Sequence, residues 1–275
     1  MIVTASTVDH AVINVRNGLD QARHLYRRLG FDLTHRGHHS VGTSNYLAIF
    51  GRTYLELLGF VGDNACPPSD LVDAPVGLRA LALGGGEPDK VAARWSTLGL
   101  LDGPPADLDR PVAHAAGIAS ARFRIFRLRA DWIANARLFY CHHYTPELVW
   151  RDEWRHHANG VTELIGVDIS SENPRNAASL YGQAFGMSQS GIDTTHIDAG
   201  PTRLSFIPAR LVRRRYGYGG ANALEQMVAL RFATRSLFAT REVLTCSHIP
   251  FCTLNERSVM VEARHAMGVA LVFVA

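Results

Sequence analysis

Lysine is nearly missing from this 275-residue chain. Lys90 is its only one, so arginine carries almost all the positive charge, a skew expected from the source genome rather than from function. Cysteine is scarce too. Cys66, Cys141, Cys246 and Cys252 show no CxxC spacing, which argues against a zinc ribbon or a disulfide framework and for reduced structural thiols. No apolar run approaches the roughly 20 residues that span a bilayer. The opening MIVTASTVDH has no basic segment followed by an apolar core, so no secretory signal is read there and a cytoplasmic location is expected. Formal net charge is only +3, and the basic run Arg213–Arg215 with Tyr216 and Tyr218 reads as a solvated surface. Neither nucleic acid nor membrane is an expected partner. Gly84, Gly85 and Gly86 lack the GxGxxG spacing of a dinucleotide site, and no P-loop or GxSxG motif occurs.

What is present is a globular composition, 47% apolar and 19% charged, in a chain long enough for two domains. One pattern recurs four times: a strand, a helix, then two or three strands. In the first unit Val8–Val15 is a strand with Val8, His10 and Val12 on one face and Asp9, Ala11 and Ile13 on the other. Leu19, Ala22, Leu25 and Leu29 then line a helix that stops at Gly30. Strands follow through Leu33, Tyr46–Phe50 and Tyr54–Leu58. The second unit has a strand at Leu78–Leu83, a helix opened by Pro88 and closed at Gly99, and strands at Ala121–Leu128 and Leu138–Cys141. In the third, Leu164–Ser170 precedes a helix capped by Asn173, with Pro174 in its first turn and Gly186 at its end; strands lie around His196 and at Leu204–Ile207. The fourth has Val228–Phe232, a helix over Arg235–Leu244, and strands Val259–Glu262 and Val269–Val274.

Units this small cannot bury their apolar faces alone and should pair. Thr145–Gly160, anchored by Val149, Trp150 and Trp154, is expected to be a packed connector between two halves. Asn64–Pro75 joins the first two units, and Arg210–Gly220 reads as a loop.

His10 and Glu56 are polar residues in the middle of apolar strands, where an unpaired polar group is costly. An imidazole and a carboxylate are half of a site for Fe(II), Mn, Ni or Zn. The alternative is a buried His–Glu pair satisfied by its own hydrogen bond. Aligning the helix ends puts Arg79 near the position of His10 in the second unit. A guanidinium there would repel a cation and hold an anionic group of a ligand, unless it is a surface arginine on a strand edge. At the Glu56 position the second unit offers Tyr140, Cys141 and His142, and His142 or His143 would complete a two-histidine, one-carboxylate set. In the second half Gly166 and Ser205 fall at the two positions, so that half is expected to be scaffold, pocket wall or dimerisation surface. His38, His39, Thr43 and Asn45 form a polar cluster, either a turn or the seat of a general base.

VDHAVINV, the RLGF helix end, GHHSVGTSN and YLELLGF together resemble the glyoxalase-like domain proteins of the vicinal oxygen chelate superfamily. HHYTPELVWRDEWRHHANG resembles the link that follows the second unit in that group. The resemblance implies an α+β fold of four βαβββ units paired into two half-open barrel domains, residues 1–150 and 151–275. It places metal ligands on the first and last strands of a unit, here His10 and Glu56, with His39 and Asn45 against substrate at the pocket mouth. The function it implies is a lyase, isomerase or dioxygenase acting on a small oxygen-bearing molecule that chelates a divalent metal. In that reading His39 or His142 moves a proton, while Asn45, Arg79 and His143 bind substrate. The other reading is a non-catalytic small-molecule binding or sequestering protein of the bleomycin-resistance type. A homodimer fits either.

Overall fold

The structure, a computed structural model, describes residues 5–39, 42–60, 72–114, 117–133, 135–187, 195–217 and 225–275. Most of the Asn64–Pro75 joint, with Cys66, and the tyrosine at 218 lie outside them. The first half runs β1 (Thr7–Arg16), α1 (Leu19–Arg28), β2 (Gly37–His38), β3 (Ser44–Ile49), β4 (Tyr54–Gly59), β5 (Gly77–Gly84), α2 (Pro88–Thr97), β6 (Leu101–His114), β7 (Gly117–Leu128) and β8 (Arg137–His143). These strands form one sheet in the order β2-β3-β4-β1-β5-β8-β7-β6. β1 pairs in parallel with β4, β5 in parallel with β8, and the two units join through antiparallel β1 and β5. The end strands β2 and β6 meet, so the sheet curls into a barrel with a concave inner face.

After two 3-10 turns, Pro146–Leu148 and Asp152–Trp154, the plan repeats. β9 (Val161–Ser171), α3 (Pro174–Phe185), β10 (Thr195–Ala199), β11 (Thr202–Pro208) and α4 (Ala209–Tyr216) precede β12 (Gln226–Thr234), α5 (Leu237–Cys246), β13 (Cys252–Asn255), β14 (Ser258–Val261) and β15 (Ala270–Val274). Their sheet has the order β10-β11-β9-β12-β15-β14-β13. The architecture is therefore α+β, with paired βαβββ-type units in two half-barrel sheets. Among the described residues no helix is long and apolar enough to cross a membrane.

Alternation decides which residues face the helices. Leu81 and Leu83 of β5, Leu55 and Leu57 of β4, and Val167 and Ile169 of β9 join one apolar cluster that takes in both halves. Phe31, Phe50, Phe232 and Phe273 meet within it at centroid distances of 5.4 to 6.2 Å. Polar staples cross the same layer. Tyr26 donates to Ala266 O, Trp95 Nε1 to Ala184 O, and Asn159 Nδ2 to Leu29 O. The caps at Asn173 and Ser236 accept from the third helical N–H, which removes one orphan donor from each helix start.

Two local expectations fail, and one strand was not anticipated. Leu33 is buried but belongs to an extended segment outside the sheet ladder; the strand after α1 is β2. The stretch over 101–114, to which the sequence assigned no element, is strand β6. Part of the Arg210–Gly220 stretch is helix α4, because Val212 and Tyr216, four residues apart, bury one side of it.

Helix α4 also decides what the second half can do. With Ile207, Val228, Met260, Ala270 and Val272 it fills the concave side of its own sheet. There Arg231 donates to Asp168 Oδ2 at 3.0 Å from Nε and 2.7 Å from Nη2, and the Tyr216 hydroxyl also donates to that oxygen. Gly166 stands where the first half has its strand histidine, and a Cβ added to it would lie 3.0 Å from Arg231 Cδ. This barrel is sealed by its own ion pair.

Candidate metal centre

Regular alternation puts His10 and Val12 of β1 on the concave face, opposite Ala82 and Ala80 of β5. One residue breaks the pattern. Val8 pairs with Leu83 and His10 with Ala82, so Asp9 is an extra residue in a β-bulge. The bulge turns its carboxylate onto the side of His10. His10 Nδ1 lies 2.5 Å from Asp9 Oδ1, and His143 Nε2, on the concave side of β8, lies 3.2 Å from the same oxygen. Burial alone would raise the Asp9 carboxyl, but the neighbouring His143 and the hydrogen bonds from both imidazoles outweigh it and hold it well below the usual carboxylate range.

On the far side of His10, Nε2 faces Glu56 Oε2 at 3.5 Å. Asn45 Nδ2 donates to Glu56 Oε1 at 2.6 Å and stands 3.3 Å from His39 Nε2, while His39 Nδ1 meets Thr43 Oγ1 at 2.8 Å. Since an amide nitrogen can only donate, His39 Nε2 is the acceptor and Nδ1 carries the proton. Burial pushes the His39 pKa down, so the ring is neutral near pH 7. A continuous chain results, buried except at half-buried His39 and His143: His143, Asp9, His10, Glu56, Asn45, His39, Thr43.

Asp9 takes the Nδ1 proton of His10, which leaves Nε2 as a lone pair aimed at a carboxylate. A proton shared between Nε2 and Oε2, or a cation held by both groups, satisfies that edge. A carboxylate gripping the far nitrogen of an imidazole is the arrangement that orients metal-ligating histidines. Two atoms that share an ion at ~2.0–2.2 Å each sit roughly 3 to 3.5 Å apart, which the 3.5 Å edge meets. The ring plane is fixed by Tyr54, stacked at 4.1 Å, and by the edge of Phe139.

Asp9, Cys141 and His143 make a second possible ligand group, their donor atoms all within 4.8 Å of one another. Burial first, then the Asp9 and Glu56 charges, push the Cys141 thiol well above its ordinary value, so without a cation it stays protonated. His143 Nδ1 is buried with no partner.

Of the residues singled out in the sequence, the structure brings His10, Glu56, Asn45, His39 and His143 together. It does not bring Arg79 or His142 to them. Arg79 is the bulged residue of β5, and its Nε donates to Pro75 O at 3.2 Å; alanines 80 and 82 hold the concave positions. His142 alternates with His143 and lies on the other side of β8, with Tyr144 against its ring. Two members went unread in the sequence, Asp9 and Arg110. Arg110 of β6 is 8% exposed, lies over the Phe123 ring at 5.9 Å, and has no hydrogen bond or ion pair among the described residues.

The segment after β8 covers the concave face. Val149 packs on Leu47, Ile49 and Tyr54, and Trp150 stands 4.7 Å from His143 and 5.6 Å from Tyr54. His10 is 3% exposed and Glu56 8% under this strap. A cavity of about 200 Å³ opens beside it, lined by Gly37, Leu47, Arg110, Val112, Val149 and Trp154 among others.

Two βαβββ units closed about a strand histidine and a strand carboxylate define the vicinal oxygen chelate class of fold. Residues 8–185, more than half of the chain, match the glyoxalase-like domain family, and the chain belongs to it. No curated protein matches it in sequence. Similar solved structures include a hypothetical protein from Staphylococcus aureus, with TM-score 0.69, 12% identity, and 97% of this chain and 98% of that one covered. A mutant 4-hydroxymandelate synthase from Streptomyces coelicolor has TM-score 0.61 and 12% identity over 98% of this chain and 92% of that one. A xylose isomerase-like TIM barrel/4-hydroxyphenylpyruvate dioxygenase fusion protein has TM-score 0.61 and 14% identity over 98% of this chain and 49% of that one. At such identities the likeness is one of fold.

Proposed function

We propose that this chain is a metal-dependent enzyme for a small oxygen-bearing molecule, with Fe, Mn, Ni or Zn held by His10 Nε2 and Glu56 Oε2. The observation that carries the reading is the edge between those two atoms, an imidazole nitrogen and a carboxylate oxygen facing each other at 3.5 Å in a buried site. A divalent ion there would supply Lewis acidity to a substrate oxygen. Asp9 fixes the tautomer of His10, and Asn45 fixes the rotamer of Glu56. His39, neutral and joined to Glu56 through Asn45, is the group that accepts a proton at Nε2. The strap of Val149 and Trp150 keeps water from the cluster.

Sequestration without chemistry is favoured by one feature, the alanines at the first-strand position of the second unit. Incubating the metal-supplied protein with 2-oxo acids, 2-hydroxy acids and catechols, and following the compounds by mass spectrometry, separates the readings. Conversion that disappears in Glu56→Gln supports the enzyme. Stoichiometric retention of an unchanged compound supports sequestration, and neither conversion nor retention contradicts both.

A further inference from the structure

We propose that the cavity beside the strap takes the carboxylate end of the ligand, seated on the Arg110 guanidinium; this rests on the reading of the concave face as a small-molecule site. Three observations meet there. Arg110 is more than nine-tenths buried and has no anionic partner among the described residues, only the face of Phe123. A buried cation is costly to leave uncompensated, so a missing anion is expected from outside the chain. The second observation is the cavity itself, with Arg110 in its wall and apolar Leu47, Val112 and Val149 around it. The third is Gly37, where a Cβ would collide with both Asn45 Oδ1 and Arg110 Nη1. Only a bare backbone lets the guanidinium lie alongside Asn45, whose Oδ1 is buried without a partner and whose Nδ2 holds Glu56.

The charge balance selects the anion. Arg36, the other arginine in the wall, is already paired with Asp20, so a single positive charge is left open. A monocarboxylate neutralises it and matches the forked guanidinium with two parallel hydrogen bonds. A phosphate dianion would bring a second charge that nothing there balances. Leu47, in the cavity wall, is the cross-strand partner of Glu56, so the cavity adjoins the strand that carries the Glu56 carboxylate.

Calorimetry on chelator-treated protein with benzoate, benzamide and inorganic phosphate tests this. Benzoate should bind, and benzamide and phosphate should bind at least about tenfold more weakly, the ratio set by ~1.4 kcal/mol or more for a charge-assisted pair. Arg110→Gln should lose benzoate about tenfold or more and, freed of an unpaired buried charge, melt at or above the wild-type temperature. Arg110→Lys should keep part of the affinity. The proposal is overturned if benzamide equals benzoate, if phosphate is preferred, or if Arg110→Gln binds benzoate as wild type does. Metal uptake is measured separately on the same preparations. Benzoate binding without metal leaves this inference standing and removes the metal reading; metal without benzoate does the reverse.

Discussion

Arg231→Met removes the cation that neutralises a fully buried carboxylate. Asp168 is 0% exposed, and Arg231 reaches it with hydrogen bonds of 3.1, 3.0 and 2.7 Å. Deleting one partner of such a pair costs roughly 3 to 5 kcal/mol, because the remaining charge stays buried. Two features point to the lower end. The Arg231 side chain is 29% exposed, and the Tyr216 hydroxyl still donates to the stranded carboxylate. About 3 kcal/mol is expected, a loss of roughly a hundredfold in the folding equilibrium. Urea denaturation followed by tryptophan fluorescence measures it. The double variant Asp168→Leu, Arg231→Met should recover most of the loss, since no charge is then left without a partner. A cost below about 1 kcal/mol for the single variant, or a double variant as damaged as the single, would refute the claim that this pair seals the second barrel. Metal uptake by the first half should be the same in both variants.

The two glycines that end α1 and α2 make a matched pair. Gly30 has φ 88° and an added Cβ would lie 2.8 Å from Asn159 Cβ, whereas Gly99 has φ 67° and nothing within 4 Å. Gly30→Ala should cost about 3 kcal/mol from left-handed strain plus a collision, and Gly99→Ala only about 1 kcal/mol from strain alone; equal losses in urea midpoint would contradict this. His157 accepts from Asp32 N at 3.0 Å and has Nε2 2.8 Å from Ile49 O, and burial lowers its pKa. Its folded-state pKa lies below the unfolded value near 6.5, so stability is unaffected above that pH and falls as pH drops below it. His39 and His142 shift the same way. His157→Gln, which keeps both bonds without titrating, should flatten the decline between about pH 6.5 and 5.5 by up to ~1.4 kcal/mol per unit; parallel wild-type and variant curves would overturn the assignment.

Period-two alternation makes His10 and Glu56 legible, because from His10 onward β1 alternates regularly against β4, and Glu56 shares a face with its cross-strand neighbours. Asp9 was not legible. Alternation assigns it to the opposite face, and only the bulge against β5 brings it round; a bulge depends on the partner strand, not on the local sequence. Arg110 was hidden for another reason. Its strand contains Gly103, Pro104, Pro105 and Pro111, the composition of a loop, and those prolines are tolerated because β6 is a sheet edge with an irregular register over 102–106. Aligning helix ends puts Arg79 within one residue of the concave position, and in a strand one residue is the difference between the two sides of the sheet. Trp150 and Val149 were readable as anchors, but that they cover the site follows only from the closure of the barrel.

The most direct test of the metal reading is the divalent-ion content of the purified protein after reconstitution, by mass spectrometry of the metal. His10→Ala, Glu56→Gln and Cys141→Ser are measured beside it, each checked for folding by its melting temperature. About one ion per chain is expected in the wild type and in Cys141→Ser, with loss in the other two variants. No stoichiometric ion in the wild type, or loss in Cys141→Ser with retention in His10→Ala and Glu56→Gln, would contradict it.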